Sequence, residues 1–321
     1  MTKKVLITGA AGFVGQALVR RLCGPDSPIA LSRLTLVDLT LDPARLPTHP
    51  ALKLVTGSIA DAAVQAQALE GAPDLVFHLA AITSGQAERE FGLGLTVNLQ
   101  ATLDLLEALR AQAQASGRAP RLVQASSIGV YGLPLPAHID DATPLVPTLS
   151  YGAQKLAVEV LLADYSRRGW IDGRSPRLPS IVTRPAGPNG ARSSFASDLI
   201  RELAEGRDYD CPVDAEGTLW LLSLPACVDA LLHAARLDAH ALPATRAWTL
   251  PSLRATVAEV VAGLMRLHGT SVAQRIRYAP DPTLIPQFAR WPTHDSATAR
   301  ALGFVPDTSL DQLLQRAMAP A

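Results

Sequence analysis

Lysine is scarce in this 321-residue chain. It occurs only at Lys3, Lys4, Lys53 and Lys155, so arginine carries nearly all the positive charge. The 29 basic residues are matched by 29 acidic ones, leaving no formal net charge. No basic run or aromatic-interleaved patch occurs, which removes the usual electrostatic footprint of a nucleic-acid binder. Cysteine is limited to Cys23, Cys211 and Cys227. They are too scattered for a metal site or a disulfide framework and are expected as buried free thiols in a reducing compartment. No apolar run is long enough to span a bilayer. The short run in "MTKKVLITGA" ends at a glycine turn and reads as a first strand, not a signal peptide. A cytoplasmic protein with neither nucleic acid nor membrane as partner is expected. What remains is 48% hydrophobic and 18% charged, enough to bury a substantial core.

Strands and helices alternate from the start. Runs at 3–8 (KKVLIT), 34–39 (LTLVDL), 52–57 (LKLVTG), 74–81 (DLVFHLAA), 121–127 (RLVQASS) and 178–185 (LPSIVTRP) predict six strands. Helical spacing occupies 12–23, 61–71, 87–115 and 151–168. Apolar strands between amphipathic helices predict an α/β fold, a Rossmann-type doubly wound parallel sheet covered on both faces. Such sheets bind ligands at the carboxyl ends of their strands. Beyond 185 the pattern weakens. A loop entering a helix (187–197), a strand (219–224), a helix (225–238), a strand (247–250), a helix (254–268) and an irregular stretch (280–306) follow. The expected organisation is a dinucleotide-binding domain over 1–180 and a smaller substrate lobe over 181–321, partly interleaved, with about 219–250 returning to the first domain.

The segment "TGAAGFVG" sets Gly9, Gly12 and Gly15 between the first strand and the first helix. Glycines there permit a tight turn and close backbone approach to a pyrophosphate, which the helix N-terminus then attracts. Asp38 ends the second strand, where a carboxylate suits two ribose hydroxyls and repels a 2′-phosphate. No arginine follows at once, so NAD is favoured over NADP. Ser58 and Ile59 end the third strand near the expected adenine. Leu79, Ala80 and Ala81 end the fourth and leave room for the cofactor. His78 precedes the strand end and reads as a packed residue.

The reacting end comes from "SS" (126–127) and "SYGAQK" (150–155). Tyr151 and Lys155 lie four apart on one helix face. Ser126 or Ser127 ends the neighbouring strand. Oxidising an alcohol needs a proton acceptor, and a free phenol titrates near pH 10. A nearby ammonium and the positive nicotinamide ring favour the phenolate, while a serine holds the substrate oxygen. Lysine's compact head can also bond the nicotinamide ribose, which explains a lysine in a chain that otherwise uses arginine. Ser126 and Pro185 are expected beside the cofactor as well.

Together "TGAAGFVG", "VDL", "HLAA", "VNLQAT", "SSIGVYG" and "YGAQK" resemble the extended short-chain dehydrogenase/reductase family along the whole chain. The resemblance implies NAD held by Gly9, Gly12, Phe13, Val14, Gly15 and Asp38. It implies that Asn98 supports the active-site helix, that Ser127 and Tyr151 are catalytic, and that Lys155 assists. One departure is Ser58, where the family commonly has an aspartate. Matches such as "ITSGQAE", "RPAGPN", "SSFAS" and "WLLS" are similar to a branch that oxidises the C2 hydroxyl of a four-carbon sugar acid. Helices near 91–113 and 151–168 commonly pair across a two-fold axis in this family. Both are apolar around much of their circumference here, so a homodimer is expected.

For a sugar-acid substrate, Arg192 is the first candidate partner of the carboxylate and Arg201 the second. Thr83, Ser84, Asn189 and Ser194 offer neutral donors. The main rival is a nucleotide-sugar epimerase that keeps NAD bound. Its polar diphosphate-binding stretch is replaced here by the apolar "LWLLSLPACVD". A non-catalytic NAD-binding scaffold is the second rival, and the intact serine, tyrosine and lysine oppose it.

Overall fold

The computed structural model describes residues 2–185 and 194–319. Seven strands build the central sheet: β1 (Lys3–Thr8), β2 (Leu31–Asp38), β3 (Leu52–Thr56), β4 (Leu75–His78), β5 (Arg121–Gln124), β6 (Asp172–Leu178) and β7 (Ala247–Thr249). They stand in the order β7-β6-β5-β4-β1-β2-β3, every neighbouring pair parallel. The order reverses between β1 and β4, which opens the crevice where such sheets bind ligands.

Alternation along each strand divides the core into two layers. Val5, Ile7, Leu34, Leu36 and Phe77 face the helices Phe13–Cys23 and Leu224–Ala234. Leu6, Val37, Val76 and Leu122 face Leu105, Leu106 and Leu109 of the helix Ala101–Ser116, and Leu162 of the helix Ser150–Arg167. Burial on both faces is why these strands read as continuous apolar runs.

β6 departs from expectation. The apolar pattern predicts a strand over 178–185, but the one that extends the sheet is "DGRSPRL", which has no apolar run. Its arginines are buried because they are paired. Arg174 donates to Asp172 and to the Leu237 carbonyl, both at 2.9 Å. Arg177 donates to Glu159 at 2.8 Å. Ser180–Val182 instead joins a separate three-stranded sheet. Thr218–Ser223 is its middle strand, parallel to Ser180–Val182 and antiparallel to Leu253–Thr256. The helix expected from 254 therefore begins at Val257, after a capping box of Thr256 and Glu259.

A third cluster of Leu199, Ile200, Leu219, Val260 and Leu313 fills the space beneath the small sheet. All three cysteines are free. Cys211 and Cys227 are buried as expected, whereas Cys23 is partly exposed. Among the described residues, no helix is long and apolar enough to cross a membrane.

Candidate active site

The chain leaves β1 in a turn that only glycine fits. Gly9 has φ +71°, and a β-carbon there would press into the backbone of Leu79 and Ala80. β1 and β4 are adjacent strands, so this close approach keeps their ends together. The helix Phe13–Cys23 starts beyond the turn, and its first N–H groups have no partner within the helix. Asp38, at the end of β2, accepts the Ala11 N–H at 2.8 Å and the Leu39 N–H at 2.7 Å. The carboxylate is thus fixed against the glycine turn.

A cavity of about 710 Å³ runs along the carboxyl ends of the strands. Gly9, Gly12, Phe13, Val14 and Gly15 line one part of it, and Leu79, Ala81, Thr83 and Ser84 continue the wall. Ser126, Ser127, Tyr151, Lys155 and Pro185 line it too. A volume of several hundred Å³ at a topological switch point, with a glycine turn at one end, fits a dinucleotide and a small second molecule.

The two serines have different partners. Ser126 donates its hydroxyl to Glu159 and is occupied. The Ser127 hydroxyl accepts the Gly129 N–H at 3.0 Å and lies beside the Tyr151 phenol. The Tyr151 helix can come this close because residue 152 is glycine. A β-carbon there would overlap the Gly129 carbonyl. One turn on, the Lys155 ammonium lies 5.6 Å from the centre of the Tyr151 ring.

Burial raises the Tyr151 phenol above its ordinary range, and the Arg184 charge and the Ser127 hydrogen bond oppose that rise. Arg184 is thus a second cation acting on the tyrosine, beside the Lys155 ammonium over its ring. Burial lowers Lys155 to about 8, with the Glu159 carboxylate opposing the drop. His78 is a structural residue. Its ring is held between the Thr8 hydroxyl at 2.7 Å and the Thr102 hydroxyl at 2.9 Å. Burial, with the Lys155 charge second, pushes it to about 3, so it stays neutral.

Asn98 does not line the cavity. It sits in the π-helical turn Leu95–Gln100, a local distortion often found beside functional sites. Its side chain exchanges hydrogen bonds with the Ile82 backbone at 2.7 and 2.9 Å, and donates to Gln154 at 2.7 Å. It ties the segment after β4 to the Tyr151 helix. Ser58 turns its hydroxyl to the Ala60 N–H, and Ile59 is buried in the lower core. Both follow β3, beside the strand that ends in Asp38. Ala80 backs the wall, its N–H near the Thr8 hydroxyl at 3.3 Å.

The predicted substrate residues divide. Thr83 and Ser84 line the cavity. Ser194 opens the helix Phe195–Ala204 and lies 3.3 Å from Asp198. Arg201 is not brought to the cavity. Asp198 and Glu202 hold its guanidinium, which also donates to the Arg184 carbonyl at 2.7 Å. Asn189 and Arg192 lie outside the described residues. Sequence reasoning missed Arg184, which lines the cavity with Thr183. It follows the strand Ser180–Val182, so the rule that strand ends carry function already pointed there. It also missed Phe288 and Trp291, cavity residues from the stretch read as irregular.

A model of the NAD dependent epimerase/dehydratase family matches residues 5–236. The chain belongs to that family. D-erythronate dehydrogenase of Cupriavidus necator is 43% identical over 99% of this chain and 98% of its own. D-erythronate dehydrogenase of Haemophilus influenzae is 34% identical, over 98% of each. Among solved structures, the nucleoside-diphosphate-sugar epimerase of Agrobacterium tumefaciens superposes with a TM-score of 0.91 at 35% identity, covering 98% of this chain and 93% of its own. The resemblance read from the motifs is thus upheld. The protein is an oxidoreductase of the extended short-chain dehydrogenase/reductase type, and the family's cofactor is a nicotinamide adenine dinucleotide. The glycine turn, the cavity it lines and the Asp38 carboxylate fixed against that turn fit that cofactor.

Proposed function

We propose that this enzyme is an NAD-preferring dehydrogenase that oxidises the C2 hydroxyl of a short sugar acid, D-erythronate, to the 2-keto acid. The observation that carries the reading is the meeting of Ser127, Tyr151 and Lys155 in one cavity whose remaining wall is largely apolar, with Leu133, Leu135, Leu149, Phe288 and Trp291. The two similar D-erythronate dehydrogenases support the choice of substrate.

Ser127 holds the substrate oxygen, and the Tyr151 phenolate takes its proton. The bound dinucleotide supplies the hydride acceptor, so the products are the keto acid, NADH and a proton. Lys155 keeps positive charge beside the phenolate and offers a donor to the cofactor's ribose. Ser126, bonded to Glu159, holds that carboxylate under Lys155 and leaves the substrate to Ser127.

NADH release from four- to six-carbon aldonates, uronates, L-threonine and UDP-sugars tests the reading. D-Erythronate should give the highest kcat/KM. Interconversion of UDP-sugars without net NADH would instead favour the epimerase, the activity named for the Agrobacterium protein. That reading asks the apolar wall to accommodate a diphosphate.

Cofactor choice follows from Asp38, after which Leu39 and Thr40 carry no positive charge. NAD should be preferred over NADP by at least about tenfold in kcat/KM, or roughly 1.4 kcal/mol. Asp38→Ala should narrow that gap, and equal use of both cofactors by the wild type would contradict the assignment. Assembly is the next expectation. Phe91, Leu95 and Val160 are exposed by 58%, 41% and 63%, on the helical stretch after residue 90 and on the Tyr151 helix. Large apolar side chains exposed on the two helices that pair in this family favour a homodimer. Light scattering at micromolar concentration should give twice the chain mass.

A further inference from the structure

We propose that Arg184 is the residue that reads the substrate's carboxylate. This rests on the dehydrogenase reading and adds its missing recognition element.

The first ground is position. Arg184 follows the strand Ser180–Val182 and lines the same cavity as Ser127, Tyr151 and Lys155. It is close enough to Tyr151 for each group to act on the other's ionisation.

The second ground is the lack of a counter-charge. Three other buried or half-buried arginines near this site are paired. Arg177 has Glu159, Arg201 has Asp198 and Glu202, and Arg316 has Asp307. Arg184 is partly buried, yet among the described residues its guanidinium meets no carboxylate. The groups that act on its charge are the Tyr151 phenol and the Cys227 thiol. A buried cation is costly unless an anion pairs with it. Here the open side is the cavity, so the anion that matches it is a ligand's. A guanidinium fork takes a carboxylate through two parallel hydrogen bonds.

Two anions could enter the cavity: the cofactor's pyrophosphate and the substrate's carboxylate. The glycine turn serves the pyrophosphate, and Arg20, on the helix that follows the turn, also lines the cavity. Arg184 instead neighbours the tyrosine that takes the proton, so the substrate's charge falls to it. Arg184 and Tyr151 line the same cavity, so an acid that carries its reacting hydroxyl near its carboxylate can meet both.

The test is binding in the presence of NADH, where no oxidation occurs. D-Erythronate and erythritol, the uncharged four-carbon polyol, are titrated calorimetrically into wild-type enzyme, Arg184→Gln and Arg184→Lys. The wild type should bind the acid at least about 100-fold more tightly than the polyol. Arg184→Gln should erase that gap while NADH affinity, measured by fluorescence, stays within about threefold. Arg184→Lys should keep part of it. An unchanged gap in Arg184→Gln overturns the proposal. A loss of NADH affinity with the gap intact also overturns it, since the arginine would then serve the cofactor, as would a wild type that does not prefer the acid. If the wild type binds D-erythronate through Arg184 but forms no NADH from it with NAD, the dehydrogenase reading fails and the anion site stands.

Discussion

Tyr151→Phe should lower kcat by about 10²–10⁴-fold, the usual contribution of a positioned acid or base, and leave NAD affinity within a fewfold. The phenol oxygen is the only atom removed. The ring stays beside Lys155 and Gly129, and the glycine turn and Asp38, which serve the cofactor, are untouched. The remaining enzyme still binds and orients but has nothing to take the hydroxyl proton. The same group sets the pH profile. Burial holds the phenol above its ordinary range, with Arg184 and Ser127 opposing, so wild-type kcat/KM should rise with pH on the alkaline side. That rising limb should vanish in the phenylalanine variant. Turnover within a fewfold of wild type would remove Tyr151 from the mechanism and, with it, the reason for its place opposite Ser127.

The parts of this enzyme that were legible in the sequence are those where one local rule decides. β1 to β5 are short apolar runs because both sheet faces are covered, and the glycine turn is legible because its geometry admits no other residue at Gly9. Tyr151 and Lys155 are legible because a helix puts positions four apart on one face. β6 was not legible, since "DGRSPRL" is a buried strand only by virtue of partners elsewhere. Asp172 and Glu159 neutralise its arginines, and Gly173 makes room for Leu162 and Ser166 of the facing helix. Pairing across distant segments leaves no periodic trace. The choice between Ser126 and Ser127 was closed to sequence for the same reason. It turns on the Glu159 carboxylate, 33 residues beyond Ser126. Arg184 was passed over for Arg192 and Arg201, because a sequence does not show which arginine lacks a partner. The π-helical turn carrying Asn98 lies within a stretch that reads simply as helix.

Arg177→Met is expected to cost the largest share of stability, about 3–5 kcal/mol. The Arg177 guanidinium meets Glu159 through two parallel bonds, at 3.0 and 2.8 Å, and the two side chains are only 9% and 3% exposed. Its planar head also lies over the Tyr131 ring at 5.9 Å, and the Tyr131 hydroxyl is bonded to Thr249 of β7 at 2.8 Å. Methionine can fill much of the space but leaves the Glu159 carboxylate buried with Ser126 as its remaining hydrogen-bond partner and only the Lys155 charge to offset it. An unpaired buried charge costs more than the pair contributes, so the loss should be read from the destabilised variant and not taken as the strength of the bond. The urea midpoint should fall with the denaturant slope unchanged. Adding Glu159→Gln should recover a large part, because the buried carboxylate is then gone. That double variant also strips Lys155 of the carboxylate that opposes its burial, so its ammonium should give up its proton below the value of about 8 that it has in the wild type. NAD affinity should accordingly weaken at a lower pH in the double variant than in the wild type, even where the fold is restored. A loss below about 1 kcal/mol for Arg177→Met alone would place the pair in a far wetter setting than this buried contact implies.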